Sequence, residues 1–278
     1  MKDLVCSPGK KNNKFTCYSH SSLLHLRNLW NYRHPDVPIN SENDREIWLQ
    51  LKSFLQDVCN NEQCWLDQQF SKNKLTVDII DYTFAPIAPK KWIKNKNEWL
   101  TSIDIEKVMQ QYEKEFPNFL FLGPSPIDFD KVIEGECIWE EICKFNVTNI
   151  LKNKKNKIGL IFNIDPHYKN GSHWVSVFID LKNQYIIYFD SVADKIPKEI
   201  DIFINRVIEQ CKYHNIKLKK VIIDKEHQKG DTECGMYCLY FIITLLTKND
   251  YNQFINNRIP DINMENLREV LFNHPKNL

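Results

Sequence analysis

The chain lacks any hydrophobic run long enough to cross a membrane. Its longest nearly continuous apolar stretch, residues 236–246, has about half of the roughly 20 residues that a transmembrane helix needs. The charged N-terminal residues are not followed by the apolar segment of a secretory signal peptide. We therefore expect neither a membrane partner nor secretion.

Glycine, proline and net charge are also scarce. Only 7 glycines and 12 prolines occur among 278 residues, which argues against long disordered linkers. The net charge is +1, and lysine-asparagine clusters such as residues 152–157 are typical of a solvated surface. With 42% hydrophobic and 26% charged residues the composition is that of a globular protein, and nothing in it indicates a nucleic-acid partner.

The nine cysteines do not have the spacing of a small secreted domain that disulfides hold together. Their number is odd, and the chain is long enough to build a real core, so we expect a reducing intracellular compartment. Cysteines and histidines near the N-terminus could bind zinc, but their spacing is irregular and contains no C-x-x-C pair, which favours ordinary buried side chains. These residues are Cys6, Cys17, His20, His25, Cys59 and Cys64.

Two regions differ in their pattern. Residues 1–95 carry apolar residues at helical spacing and predict a helical N-terminal domain. Pro86 and Pro89 interrupt regular structure near its end, so we place the boundary there and assign residues 96–278 to a second domain. We expect the first domain to dock the substrate or regulate the second.

The second domain combines helices and strands. Runs rich in β-branched and aromatic residues predict strands at 119–122, 157–164, 173–180, 185–190 and 218–224. Apolar periodicity predicts helices at 130–145, 197–214 and 251–272. With strands clustered in the middle and helices at both ends, the fold class is α+β.

Cys234 begins the stretch that is apolar on every side. Residues 236–246 read as a buried helix with Cys234 at its N-terminus, where the helix dipole and unpaired N–H groups favour a thiolate. Gly235 allows a close approach of backbone or substrate. The alternative is that Cys234 is a small core residue, as free cysteines often are.

His173 and Asp190 complete a pattern that is typical of nucleophilic catalysis. His173 begins one predicted strand and Asp190 ends the next, so the two share a sheet edge if the strands are antiparallel neighbours. His173 is then the base, Asp190 the group that orients it, and Cys234 the nucleophile. His167 and His227 are competing candidates for the base, although neither begins a strand.

Gln228 lies six residues before Cys234, in a polar loop that leads into the helix. Its side-chain amide can help the Cys234 backbone N–H to hold an oxyanion, as donors do in other acyl-transfer enzymes. We therefore count Gln228 among the candidate catalytic residues.

A resemblance to a known family rests on the following motifs: Trp99-Leu100, His173-Trp174, Tyr188-Phe189-Asp190-Ser191, Gln228 and Cys234-Gly235. The chain resembles the cysteine peptidases that process ubiquitin-like modifiers, including SUMO proteases and adenain. It is most similar to the polyprotein-processing proteases of large DNA viruses, such as that of African swine fever virus. The resemblance runs from Trp99 to the C-terminus.

The resemblance implies an adenain-like fold of papain type with a central mixed sheet and a buried nucleophile helix. It gives His173, Asp190, Gln228 and Cys234 the roles above, and it needs no cofactor or metal. Trp99 and Trp174 fall where the family has two tryptophans that wall a narrow tunnel for glycine residues of the substrate.

The implied activity is a cysteine endopeptidase that cleaves viral structural polyproteins after small residues, in the host cytoplasm or viral factory, with packaging in the virion. Thr101 and Ser102 stand where SUMO proteases usually have Asn-Asp, which favours viral processing. The alternatives are an isopeptidase that removes SUMO or another ubiquitin-like modifier, a catalytically silent binding module, and an acetyltransferase with a similar order of residues.

Overall fold

The computed structural model describes residues 4–10 and 15–274, and the chain forms two compact units. The first comprises Met1–Lys96 together with Arg268–Leu278, and the second comprises Asn97–Leu267. The chain thus completes the second unit and then returns to the first. The assignment of residues 1–95 and 96–278 to two domains did not include this return, and the functional roles given to the two parts stay predictions.

The first unit is mainly helical, as its apolar spacing predicts. It contains α1 (His20–Arg33), α2 (Asp44–Leu55) and α3 (Val77–Tyr82), with short 3-10 helices at Gln63–Asp67 and Lys90–Ile93. Ser19 and Asn43 cap the first two helices through their side-chain oxygens, which accept backbone N–H groups of the first turn. The core of this unit is built around buried aromatic and aliphatic side chains, among them Tyr18, Leu26, Ile47, Leu51 and Trp65.

Four cysteines of the first unit form two disulfides, which the sequence did not predict. Cys6 is bonded to Cys17, and Cys59 is bonded to Cys64. Within residues 4–10 and 15–274, no group of three or more histidine, cysteine, aspartate or glutamate side chains is arranged to hold a metal ion. The two disulfides account for these four cysteines.

The returning C-terminal segment is tied to the first unit by hydrogen bonds and ring contacts. The Asn273 side chain accepts the Val5 N–H at 2.8 Å and donates to the carbonyls of Val5 and Ala85 at 3.0 and 2.9 Å. The Phe272 ring packs edge-on against Trp92 with centroids 5.1 Å apart. Phe272 and Asn273 are both buried, so these two residues belong to the core of the first unit.

The second unit holds the predicted strands. Its helices are α4 (Ser102–Glu115), α5 (Glu140–Cys143), α6 (Val147–Lys152), α7 (Lys198–Lys212), α8 (Cys234–Thr247), α9 (Asn252–Asn256) and α10 (Asp261–Leu271), the last of which ends among the residues of the first unit. Its strands are β1 (Phe119–Pro126), β2 (Val132–Ile133), β3 (Glu136–Cys137), β4 (Lys157–Asn163), β5 (Trp174–Asp180), β6 (Tyr185–Phe189) and β7 (Lys219–Ile223).

Five of these strands form one mixed sheet in the order β1-β4-β5-β6-β7. The two outer pairs are parallel, whereas β5 pairs antiparallel with β4 and with β6. The α+β class and the central mixed sheet are therefore confirmed.

Both faces of the sheet are covered. Buried residues of α7, including Phe203, Ile204 and Val207, pack in one cluster with the even-numbered residues of β4. On the opposite face, Gly159 of β4 lies under α8, where an added Cβ would come within 3.0 Å of the Ile242 side chain. Double coverage explains why β5 is buried along its whole length and reads as a nearly continuous apolar run. No helix in the described parts of the chain is both long and apolar enough to cross a bilayer.

The helix expected over residues 130–145 is wrong. The segment instead forms the two-residue strands β2 and β3, joined by Glu134 and Gly135, which both have positive φ. A glycine at such a position favours a tight hairpin turn over a helix. A disulfide between Cys137 and Cys143 then connects the hairpin to the short helix α5.

Candidate active site

The register of β5 and β6 brings His173 and Asp190 to one edge of the sheet. Ser176 of β5 pairs with Phe189 of β6 in an antiparallel ladder. The residue before β5 and the residue after β6 must then lie side by side, because antiparallel strands exchange their ends. The prediction that these two strands are antiparallel neighbours is confirmed.

His173 is fixed by a short hydrogen bond to Asp190. Its Nε2 lies 2.6 Å from Asp190 Oδ1, and this oxygen also accepts the Val192 backbone N–H at 3.1 Å. The Asp190 side chain is buried, with 2% of its surface exposed, and that of His173 is 15% exposed. A carboxylate oxygen that faces Nε2 requires a proton on that nitrogen, so Asp190 sets both the orientation of the ring and its tautomer.

Cys234 meets the same imidazole from the other side. It is the first residue of α8 and is buried, and its side chain is one of the two groups that raise the pKa of His173. Since Asp190 occupies Nε2, Nδ1 is the nitrogen left to face the thiol. Burial alone lowers the pKa of His173, but the hydrogen bonds and negative charges of Asp190 and Cys234 outweigh it and raise the pKa to about 10. The arrangement favours a protonated imidazole near neutral pH.

The N-cap residue of α8, Glu233, makes no side-chain hydrogen bond to the backbone of this helix, and the first turn of α8 contains no acidic residue. Gly235 favours this close approach, because a Cβ at this position would come within 3.1 Å of Leu100 Cβ and the Leu100 side chain would have to shift. The helix can therefore start close to the segment that carries Leu100.

Gln228 lies in a tightly held loop. Its backbone N–H and that of His227 both donate to the Ser191 carbonyl, at 2.9 and 2.8 Å. Its side-chain Oε1 accepts the Ser191 hydroxyl at 2.7 Å, and its Nε2 donates to the Gly230 carbonyl at 2.8 Å. The side chain is buried, and its second amide proton is not used by either of these bonds.

The two competing histidines have other partners. His227 is fully buried; its Nδ1 accepts the Ile259 N–H at 3.0 Å and its Nε2 donates to the Phe254 carbonyl at 2.9 Å. Burial also lowers its pKa, so the ring is a neutral anchor for the loop. His167 is paired with a different carboxylate: its Nδ1 lies 2.7 Å from Asp128 Oδ2. Of the three candidates, His173 is the one that interacts with the thiol.

Trp174 and Trp99 belong to neighbouring segments. The Trp174 indole N–H donates to the Leu100 carbonyl at 3.1 Å, which fixes the ring next to the residue that follows Trp99. Trp174 is buried at 8% exposure, whereas Trp99 is 39% exposed. The bond ties the start of β5 to the segment that precedes α4.

Two other free thiols are unsuited to nucleophilic attack. Cys238 lies one turn along α8 from Cys234 and Cys211 lies in α7; both are buried. Burial raises the pKa of Cys211 to about 11, and burial together with the nearby Cys234 charge raises that of Cys238 strongly. Both stay protonated near neutral pH.

Comparison with known proteins identifies the family of this chain. Residues 133–274, just over half of the chain, match the family described as Ulp1 protease family, C-terminal catalytic domain. The chain belongs to the Ulp1 protease family. This family consists of cysteine proteases, so the protein is a cysteine-type peptidase that acts on proteins.

Viral members of the Ulp1 protease family are similar over most of their length. A candidate thiol protease of Acanthamoeba polyphaga mimivirus is 29% identical over 96% of this chain and 93% of its own. The cysteine protease of African swine fever virus is 27% identical over 82% of this chain and 89% of its own. The crystal structure of the African swine fever virus protease superposes with a TM-score of 0.69 at 22% identity, covering 96% of this chain and 95% of that chain, and supports the fold.

Sequence reasoning gave no role to two residues of this site, Ser191 and Leu100. Ser191 was quoted as part of a motif but given no role, although its carbonyl and hydroxyl both hold Gln228. The Leu100 carbonyl and side chain were also missed, although they contact Trp174 and crowd Gly235. Only Ser191 offered a sequence signal, because it directly follows the predicted acid.

Proposed function

We propose that this protein is an endopeptidase that cleaves viral structural polyproteins after small residues, of the Gly-Gly-X or Gly-Ala-X type, during virion maturation. The observation that supports a working protease best is the position of His173 between Asp190 and Cys234. Family membership supplies the reaction class, and the viral relatives favour a viral substrate.

In the proposed mechanism the Cys234 thiolate attacks the scissile carbonyl carbon. The negative charge moves to the carbonyl oxygen, where the backbone N–H of Cys234 and the second amide proton of Gln228 stabilise it. The imidazolium of His173 holds its proton on Nδ1 during this step, and Asp190 balances its charge through Nε2.

Collapse of the tetrahedral intermediate breaks the C–N bond. His173 gives its Nδ1 proton to the leaving amine, and an acyl group remains on the Cys234 sulfur. The neutral imidazole then takes one proton from water as its oxygen attacks the thioester, and the C–S bond breaks to release the carboxylic acid, which loses its proton to solvent. The thiolate and imidazolium are thereby restored.

Selectivity for small residues follows from the two tryptophans. Trp174 cannot easily turn aside, because its indole is buried and bonded to the Leu100 carbonyl. Trp99 directly precedes Leu100 in the chain, and its exposed ring would form the opposite wall of a narrow slot. Glycine fits such a slot because it has no side chain next to the scissile bond.

A peptide ending in Gly-Gly and a thiol-reactive electrophile tests the proposal. The wild-type protein should be labelled at Cys234 alone, because Cys211 and Cys238 are buried protonated thiols and the other six cysteines are in disulfides. His173→Ala should reduce labelling at least about 10³-fold. Cys211→Ala is the matched control and should leave labelling unchanged.

A second probe with leucine in place of both glycines tests the slot. Weak labelling by this probe supports the tryptophan walls, and equal labelling by both probes contradicts them. Labelling that spreads over several cysteines and ignores His173 would mean that the proposed catalytic residues do not work together.

Removal of a SUMO-like modifier is the alternative function. It is favoured by relatives from other African swine fever virus isolates, which are 26% identical and are named SUMO-1 cysteine proteases. Probes built on SUMO and on ubiquitin separate the two functions. If a probe built on SUMO or ubiquitin reacts faster than the Gly-Gly peptide probe, deconjugation is favoured.

The location of the enzyme and the role of its N-terminal unit are further parts of the proposal. We propose that it acts in the host cytoplasm or viral factory and is packaged in the virion, with residues 1–95 docking the substrate or regulating cleavage. Disulfides are uncommon in reducing compartments, and the described residues form three. Counting free thiols in protein isolated from cells and from virions tests the location.

A further inference from the structure

Ser191 lies next to Asp190 in the chain and forms hydrogen bonds with Gln228, the proposed oxyanion donor. It directly follows Asp190 and is 1% exposed. Its carbonyl accepts two backbone N–H groups of the Gln228 loop, and its hydroxyl donates to Gln228 Oε1 at 2.7 Å. The dipeptide Asp190-Ser191 therefore touches both the general base and the proposed oxyanion donor.

The hydrogen bonds decide which way the Gln228 amide points. The Gly230 carbonyl can only accept, so the group that faces it at 2.8 Å must be the NH₂. Oε1 then faces Ser191, and the Ser191 hydroxyl must donate its single proton to it. A flipped amide would set two carbonyl oxygens against each other.

This orientation leaves one amide proton for the substrate. One N–H of Gln228 is bound to Gly230, and the other is free of both bonds described above. A donor on Oε1 also polarises the amide and strengthens the remaining N–H as a donor. Without the hydroxyl, Oε1 would be buried without this partner, at a cost typical of an unmet polar group.

We propose that Ser191 is a positioning residue that holds the Gln228 amide with its free N–H toward the oxyanion. The inference rests on the proposed function, because it assumes that Gln228 stabilises the oxyanion. Ser191 makes no contact with the reacting atoms in this scheme and acts through Gln228 alone.

A double-mutant cycle tests the inference with the Gly-Gly peptide as substrate. Ser191→Ala should lower kcat about tenfold with little change in KM, which corresponds to the loss of one buried hydrogen bond that matters in the transition state. In a Gln228→Ala background the same change should cost less than about twofold, because the group it positions is gone. Ser191→Thr keeps the hydroxyl and should recover most of the activity.

Ser125→Ala is the matched control. Ser125 is also 1% exposed and lies in β1, and its hydroxyl has no hydrogen-bond partner among the described residues. Its removal should leave kcat unchanged. Thermal unfolding of each variant separates a loss of structure from a loss of positioning.

Alkylation of Cys234 by iodoacetamide provides the second readout, since this displacement forms no oxyanion. Its rate and pH profile should be unchanged in Ser191→Ala if the His173–Asp190 pair is intact. A changed profile, or full additivity of the two losses in the cycle, would show that Ser191 acts through Asp190 or through stability and would overturn the inference.

The cycle also separates this inference from the proposed function. If Gln228→Ala is inactive or slow but Ser191→Ala is normal, only the positioning role is wrong. If Gln228→Ala is fully active, the oxyanion assignment is wrong and the inference falls with it. If Cys234→Ala is as active as wild type, the proposed function itself is wrong.

Discussion

Replacing Asp190 with asparagine should move the basic limb of the pH–activity profile. The amide oxygen introduced at this position can still accept from His173 Nε2 and from the Val192 N–H, so the tautomer and the ring orientation are kept. Only the negative charge is lost. The variant thus isolates the electrostatic part of what Asp190 contributes.

The size of the shift follows from the pKa of His173. In the wild type this pKa is raised from 6.5 to about 10, so the imidazolium that would protonate the leaving amine in the proposed mechanism is lost only as the pH rises through about 10. A hydrogen bond to a charged partner contributes about 1.5–3 kcal/mol, and one pKa unit corresponds to about 1.4 kcal/mol. The basic limb should therefore fall from about 10 to about 8 or 9.

The assay is kcat for the Gly-Gly peptide between pH 6 and 11, together with an NMR titration of the His173 ring. At pH 7 the asparagine variant should lose about tenfold in kcat, and Asp190→Ala about a hundredfold because it also loses the anchor on Nε2. Asp194→Asn is the matched control, since this exposed carboxylate is close by but is not bonded to His173, and it should leave the limb in place. A wild-type limb near 6.5, or an unmoved limb in Asp190→Asn, would refute the reasoning.

Two further predictions concern packing and stability. Gly235→Ala places a Cβ within 3.1 Å of Leu100, so it should lower the free energy of unfolding by about 1–3 kcal/mol and reduce kcat/KM. Gly230→Ala is the control, because its Cβ would meet nothing closer than 4.0 Å, and it should hardly change thermal unfolding. Equal effects of the two variants would contradict the argument that Leu100 leaves no room for a side chain at residue 235. Replacing both Cys59 and Cys64 with serine opens a short loop and should cost about 2 kcal/mol in denaturant unfolding; unchanged stability would mean that this bond does not restrain the chain.

Much of the catalytic unit could be predicted because its strands and helices have clear patterns in the local sequence. The strands of the sheet are covered on both faces, so their runs are apolar enough to recognise. Cys234 marks the start of the most apolar helix, and the antiparallel pairing of β5 with β6 follows from their short connection. From these, the meeting of His173 and Asp190 follows by geometry alone.

The parts that could not be predicted depend on contacts between distant residues or on short turns. The helix expected over residues 130–145 failed because a two-residue turn at Glu134 and Gly135 outweighs apolar spacing. The disulfide pairings have no spacing signal, and the role of Ser191 depends on a loop 37 residues away. The hydrogen bond between Asn273 and Val5 joins residues 268 positions apart, and no local sequence pattern predicts it.

The attachment of the C-terminal segment has a consequence for how the enzyme can be dissected. The catalytic unit is an insert within the first unit, which is built from both ends of the chain. A truncation that removes residues 1–96 would strip Phe272 of its Trp92 partner and expose the Asn273 amide that Val5 and Ala85 now satisfy. A minimal catalytic fragment should therefore be cut at both ends, at 97 and 267, and an inactive fragment that keeps residues 268–278 would say nothing about docking.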